Sequence, residues 1–314
     1  MTRRTTRGTT RGTLLATVAL VAIAACHADE SVGDASGVLF GAAAAVNTSN
    51  DEVQEAAFTT LEAQAGRRLD LDRIFRQWDN AVPGAREQWT IQLGRTPLVS
   101  FKATQDVPWS AIANGAADPR LREIAAGYQA LPAQVFCIFD QDPENSSALG
   151  TPSEFAAAYR HVIAVFQAAG TTNVTWIFNL KSPSFPDLAA PYYPGDDVID
   201  WIGTSAYNFG AAKGGRWISF ADLIADFVTW ATPHGKPMIV TEWASDEDPA
   251  DPDRKAAWIA AAAVTAHATP QLRAMSAFWA TTDGTRFDSS AAALDAFRAF
   301  AADPYANLHT ATVP

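Results

Sequence analysis

Val135-Phe-Cys-Ile-Phe139 runs without a polar break into Asp140-Gln141-Asp142-Pro143-Glu144, and Pro237-Met-Ile-Val-Thr241 runs the same way into Glu242-Trp243. Short runs that are apolar throughout, instead of alternating, belong to strands covered on both faces, as in a parallel sheet sheathed by helices. Carboxylates standing where such strands end need water, a partner or a task, because a buried and unpaired charge is costly.

Working outward, six further β-rich runs fall at 38–41, 71–75, 98–102, 174–179, 199–207 and 275–279. Between the strands lie 51–66, 84–92, 119–130, 152–169, 220–231, 254–266 and 290–302, whose apolar spacing suits amphipathic helices. The connection from the fifth strand to the sixth reads as short and irregular. Strict alternation of eight strands with helices predicts an α/β fold, a (β/α)8 TIM barrel, over residues 36–308. An open doubly wound sheet is the runner-up. It usually carries a Gly-rich turn after its first strand, and Gly37-Val-Leu-Phe-Gly41 lacks one. Neither an internal repeat nor a second domain is visible.

The N-terminus reads as an address. Arg3, Arg4, Arg7 and Arg11 precede an apolar run at 14–25 that is too short to span a bilayer comfortably. Ile23-Ala24-Ala25-Cys26 resembles the lipobox of bacterial lipoproteins, which makes residues 1–25 a signal peptide, Cys26 a lipidation site and 26–35 a tether. Ordinary cleavage at a small-residue site is the alternative. Cleavage would take four of the 23 basic residues and none of the 34 acidic ones, leaving a net charge of about −15. Such a surface repels nucleic acid and anionic membrane and suits a neutral partner. With Cys26 lipidated, Cys137 has no cysteine to pair with, so the core must hold the fold unaided.

Functional residues of such barrels sit at the C-terminal ends of the strands. Those ends carry Asp142 and Glu144, Asn179 with Trp176 before it, Tyr207-Asn208, Glu242-Trp243 and Phe278-Trp279. Glu242 can be read as half of a structural ion pair, with Arg95 or Arg273 as partner. Acids interleaved with Trp and Tyr instead suit a site that holds sugar rings on aromatic faces while two carboxylates work across a glycosidic bond. Trp109, Trp176, Asn179, Tyr193, Trp243 and Trp279 are the candidate sugar contacts.

Ser100-Phe101-Lys102-Ala103 with Trp109-Ser-Ala-Ile-Ala-Asn-Gly115, Tyr192-Tyr-Pro-Gly-Asp-Asp197 with Asp200-Trp-Ile-Gly203 and Tyr207-Asn208, and Lys236-Pro-Met-Ile-Val-Thr-Glu242 together resemble glycoside hydrolase family 26. The resemblance spans roughly 37–305. It implies mainly endo-β-1,4-mannanase activity, with β-1,3-xylanases and mixed-linkage glucanases as variants. It further implies a retaining mechanism with Glu242 as nucleophile, Tyr207 as its support, and an acid/base after strand four. There the family usually carries His-Glu. This chain has Gln141-Asp142, so the acid/base carboxylate is withdrawn by one methylene, about 1.5 Å. Glu144 is the alternative acid/base, and a polysaccharide-binding barrel without turnover is the alternative function.

His161 reads as a packed or capping residue, and the acids at 246, 247, 248, 251 and 253 as a solvated turn without calcium-loop spacing. The sequons at Asn47, Asn145 and Asn173 carry little meaning in a bacterial chain. The expectation is an exported protein, at the cell surface or secreted, that is monomeric and needs neither metal nor cofactor. Its partner is a polysaccharide or oligosaccharide; it meets the membrane through a lipid anchor alone and does not bind nucleic acid.

Overall fold

The computed structural model describes residues 1–2, 37–46, 48–103, 107–210, 214–280 and 284–306. The expected signal peptide past Thr2, the tether, Cys26 and Asn47 lie outside the described residues. Eight parallel strands close into a barrel in sequence order: β1 (Leu39–Ala45), β2 (Leu71–Arg76), β3 (Thr96–Phe101), β4 (Val135–Phe139), β5 (Val174–Lys181), β6 (Trp201–Asn208), β7 (Met238–Ser245) and β8 (Leu272–Ala280). Around them run α1 (Asp51–Ala65), α2 (Ala85–Gln92), α3 (Trp109–Ala113), α4 (Asp118–Gln129), α5 (Pro152–Ala168), α6 (Phe185–Tyr192), α7 (Phe220–Ala231), α8 (Arg254–Ala268) and α9 (Ala291–Ala301). The fold is the expected (β/α)8 barrel.

Helix starts follow their caps. Asn50 accepts from the Val53 amide, Thr151 and Glu154 form a reciprocal capping box ahead of Pro152, and Ser219 and Ser290 cap α7 and α9. The differences from expectation lie where local propensity is outvoted. The first strand, expected over 38–41, continues to Ala45 because Leu39–Ala45 pairs residue for residue with Ala274–Ala280 of β8. A Cβ at Gly41 would stand 2.3 Å from Leu71 Cβ, so only glycine lets β1 and β2 approach there. The fifth-to-sixth connection holds the regular two-turn helix α6, and α3 is a further short helix that the sequence pattern did not mark.

Side-chain parity then sorts the barrel wall into two faces. Leu39, Leu71, Leu98, Phe136, Ile177, Trp201, Ile239 and Ala274 form a separate buried apolar floor inside the barrel. The larger core lies outside, between strands and helices. On β2, Asp72 and Arg76 point outward. Arg86 meets Asp72 at 2.6 Å, and Arg76 meets Glu87 and Asp51 at 2.5 and 2.8 Å, tying α1 and α2 to the strand. Arg73 shares the inner face with Leu71 and Phe75.

One irregularity decides the site. Along β6–β7, Thr204 pairs with Val240 and Ser205 with Glu242, so Thr241 is an extra residue on β7; the β7–β8 register shifts across the same place. A bulge of this kind re-aims the side chains that follow it. Ile239 and Thr241 face inward by simple alternation, and after the bulge Glu242 faces inward too. Trp243 is thereby sent outward.

Candidate active site

Thr241 Oγ1 donates to Asn179 Oδ1 (2.6 Å) and to the Thr204 carbonyl (3.1 Å), which anchors the bulge to β5 and β6. Above it Glu242, 5 % exposed, accepts from Tyr207 OH at Oε2 (2.7 Å) and from Arg73 Nη2 at Oε1 (3.0 Å). The Arg73 head is fully buried; its Nη1 donates to Ser100 Oγ (3.2 Å) and the Ile74 carbonyl (3.1 Å). Arg73 Nη2 also donates to Gln141 Oε1, which accepts from Ser100 Oγ at 2.5 Å as well.

After β4 the backbone turns sharply. Asp140 and Asp142 both take left-handed conformations with φ of 48°, which Asp tolerates better than most residues. Trp109 Nε1 holds Asp140 Oδ2 from behind at 2.7 Å. The turn lowers Asp142 into the mouth, where its Oδ1 accepts from Ser205 Oγ (2.7 Å) and Asn179 Nδ2 (2.9 Å). Glu144 sits aside from the pair; its Oε1 accepts from the Lys181 amide at the end of β5 (2.8 Å).

The electrostatics separate the two acids by environment. Burial raises the Asp142 carboxyl above its usual range, against the pull of the Ser205 hydrogen bond and then of Arg73, Lys181 and Lys102. Burial also raises Glu242; Arg73 opposes the rise, the Asp142 charge adds to it, and the Tyr207 hydrogen bond pulls it back. Glu242 thus has a cation and a phenol to favour its anion, whereas Asp142 has neutral donors. Such a pair can divide into a carboxylate and a proton carrier. Burial lifts Glu144 as well, helped by the Asp142 charge.

Of the expected site residues, the structure places two hydrogen-bonded groups in the mouth, Glu242 with Tyr207 and Asp142 with Asn179. The sugar-contact assignment of five aromatics is corrected. Trp243 is fully buried among Phe40, Phe220, Trp258, Phe287, Phe297 and Phe300, on the helix side of the wall. Trp176 packs on Tyr159 and Phe166 of α5, and Trp279 on Phe287 and Phe297. Tyr193 packs on Trp230 and His234 and donates to Asp196. Trp109 is buried behind the β4 turn. Strand parity is the reason for Trp176 and Trp279, which stand an odd number of residues from the inward Asn179 and Phe278. His161 pairs with Asp118 on the outer surface.

The arginine-pair reading of Glu242 is corrected in its partner: Arg73 takes the place, while Arg95 pairs with Glu62. Arg73 was missed, although a lone cation between Leu71 and Phe75 on one strand face is a legible signal. The half-exposed aromatics that do face the mouth are Phe75, Tyr207, Phe209 and Phe278. Phe278 lies edge-on to Phe75 and Tyr207 at 6.3 and 5.6 Å, and Phe209 stacks on Tyr207 at 5.3 Å.

No family model matches the chain. Endoglucanase H of Acetivibrio thermocellus is 26% identical over 224 residues, 65% of this chain and 24% of that protein. A β-1,3-xylanase of Alcaligenes sp is 21% identical over 73% of this chain and 48% of its own length. The chain therefore spans a quarter to a half of these curated relatives. Among solved structures, the glycoside hydrolase family 26 β-mannanase of Bacteroides ovatus superposes with a TM-score of 0.62 at 16% identity, covering 86% of this chain and 90% of that one. The catalytic domain of a family 26 endo-β-1,4-mannanase from Bacillus sp. JAMB-750 gives 0.62 at 18%, covering 86% of each. The likeness to glycoside hydrolase family 26 holds in the fold, and the relatives found by sequence are glycosidases.

Proposed function

We propose that this chain is an exported, retaining, endo-acting β-glycanase with β-1,4-mannan as its first substrate, Glu242 as nucleophile and Asp142 as acid/base. The observation that carries the reading is the inward turn of Glu242 at the β7 bulge, onto Arg73 and Tyr207 and beside Asp142. The Glu242 carboxylate attacks the anomeric carbon while Asp142 gives its proton to the departing glycosidic oxygen, leaving a glycosyl ester on Glu242. Asp142, now ionised, takes a proton from water; the resulting hydroxide oxygen attacks the anomeric carbon and frees Glu242. Phe75, Phe209 and Phe278 supply apolar faces for the sugar rings.

Sugar release is the test. Reducing ends are measured on mannan, β-1,3-xylan, mixed-linkage β-glucan and cellulose, with Glu242→Ala run beside the wild type. Release from mannan that vanishes in Glu242→Ala supports the reading. A second reading, β-1,3-xylan or β-glucan as substrate, is favoured by the names of the sequence relatives. A third, a barrel that binds polysaccharide without turnover, is favoured by the short reach of Asp142 and requires binding with no release on any member of the panel. For location, lipidation at Cys26 requires that the wild type partition into detergent and that Cys26→Ala be soluble.

A further inference from the structure

The Arg73 guanidinium touches Glu242 directly and reaches the turn that carries Asp142 through Gln141. One nitrogen, Nη2, donates to Glu242 on β7 and to the Gln141 side chain on the turn that presents Asp142. Ser100 closes the triangle, accepting from Arg73 Nη1 and donating to Gln141. Gln141 stands between two left-handed residues, so its side-chain anchor fixes the turn from the inside while Trp109 fixes it from behind. An amide oxygen suits this position. It accepts from a guanidinium at any pH and stays neutral beside Arg73.

We propose that Arg73 and Gln141 act as one positioning unit, which orients the Glu242 carboxylate and holds the Asp142 turn at a fixed separation from it. The proposal rests on Glu242 and Asp142 being the catalytic pair, but its core can be read without turnover. The charged and titratable groups facing Glu242 are Arg73 from β2, Asp142 from the β4 turn and Tyr207 from β6; Lys102 and Lys181 face Asp142 from β3 and β5. Lys in place of Arg73 keeps a positive charge but has one nitrogen where the planar fork uses Nη2 for Glu242 and Gln141 and Nη1 for Ser100 and the Ile74 carbonyl, so it cannot hold all four acceptors in the same geometry.

The test is a carboxyl-carbon NMR titration of Glu242, assigned with Glu242→Gln, in the wild type, Arg73→Lys, Gln141→Met and the double variant. Arg73→Lys is expected to raise the Glu242 pKa by up to about one unit, since the lysine keeps the charge but loses the fork that holds its hydrogen bond on the carboxylate, and hydrogen bonding to the charged form favours it. Gln141→Met, which leaves Glu242 and its direct partners in place, is expected to raise it by a smaller amount. The double variant should match Arg73→Lys alone, because residues acting as a unit are not additive. Additive shifts, or a Glu242 titration unmoved by Gln141→Met, overturn the proposal. If Arg73→Lys does not fold, Gln141→Met decides by itself. On an activated aryl β-mannoside, Gln141→Met should lower kcat about tenfold and leave KM within twofold; an unchanged kcat overturns the turn-holding half. A wild type that turns over no substrate would defeat the hydrolase reading and leave the titration result standing.

Discussion

Glu242 and Trp243 are adjacent in the chain and lie on opposite faces of the barrel wall, the acid among the polar groups of the mouth and the indole among the phenylalanines beneath the helices. Trp243 is thus a stability residue, and its indole N–H finds no hydrogen-bond partner among the described residues. Trp243→Ala should cost about 3–5 kcal/mol in denaturant unfolding. Trp243→Phe should cost about 1 kcal/mol or less, because removing an unpaired buried donor offsets much of the lost contact. KM of the Phe variant should stay at the wild-type value; a several-fold rise would return Trp243 to the binding cleft.

Tyr207 donates to the Glu242 carboxylate, which favours the anion. Losing that bond in Tyr207→Phe should lower kcat about 10- to 100-fold, the worth of one hydrogen bond to a charged group. It should also move the acid limb of the pH–rate profile upward, since Glu242 must be ionised and its pKa rises. An acid limb that stays put would separate Tyr207 from Glu242 in function.

Ser205 donates to Asp142 and opposes the rise that burial causes. Ser205→Ala therefore raises the Asp142 pKa further. An acid catalyst is competent while protonated, so the basic limb should shift to higher pH as kcat falls. A basic limb that tracks Glu144→Gln instead would hand the acid role to Glu144.

Asp140 is held by Trp109 in a buried turn, and burial pushes its carboxyl up to about 6. A carboxyl raised on folding binds more protons in the folded state than in the unfolded one. Its contribution to stability is therefore lost as pH rises from about 4 to about 6. Asp140→Asn accepts the same indole hydrogen bond and tolerates the left-handed backbone. It should flatten the stability curve across that window and stabilise the protein at pH 7 by about 3 kcal/mol at most. A curve unchanged by the substitution would contradict the buried, raised acid.

The barrel was legible because its strands are apolar throughout and its helices carry amphipathic spacing. Asp142, Glu242 and Tyr207 were legible as polar residues at strand ends. The tryptophans were not, because counting aromatics near a strand end ignores which face each one takes. Parity alone separates Trp176 from Asn179 and Trp279 from Phe278. It cannot separate Glu242 from Trp243, since with no bulge the wall would face Trp243 inward and Glu242 outward. The bulge at Thr241 is written in long-range pairings to Asn179 and Thr204, which local pattern does not hold. Arg73 stands out as a lone cation on the inner face of β2, but which acid it meets, 169 residues away, is set by closure of the barrel and not by local pattern.

Covalent attachment of the sugar to Glu242 can be observed by trapping the intermediate. The wild-type protein is incubated with an activated 2-deoxy-2-fluoro-β-glycoside, of the sugar it hydrolyses, and its peptides are mapped by mass. The fluorine slows both chemical steps, and the good leaving group restores the first, so a retaining enzyme accumulates the glycosyl ester. One sugar per chain is expected, on Glu242, with no labelling in Glu242→Ala. A label on Asp142 or Glu144, or an unlabelled Glu242 in a protein that turns over polysaccharide, would contradict it.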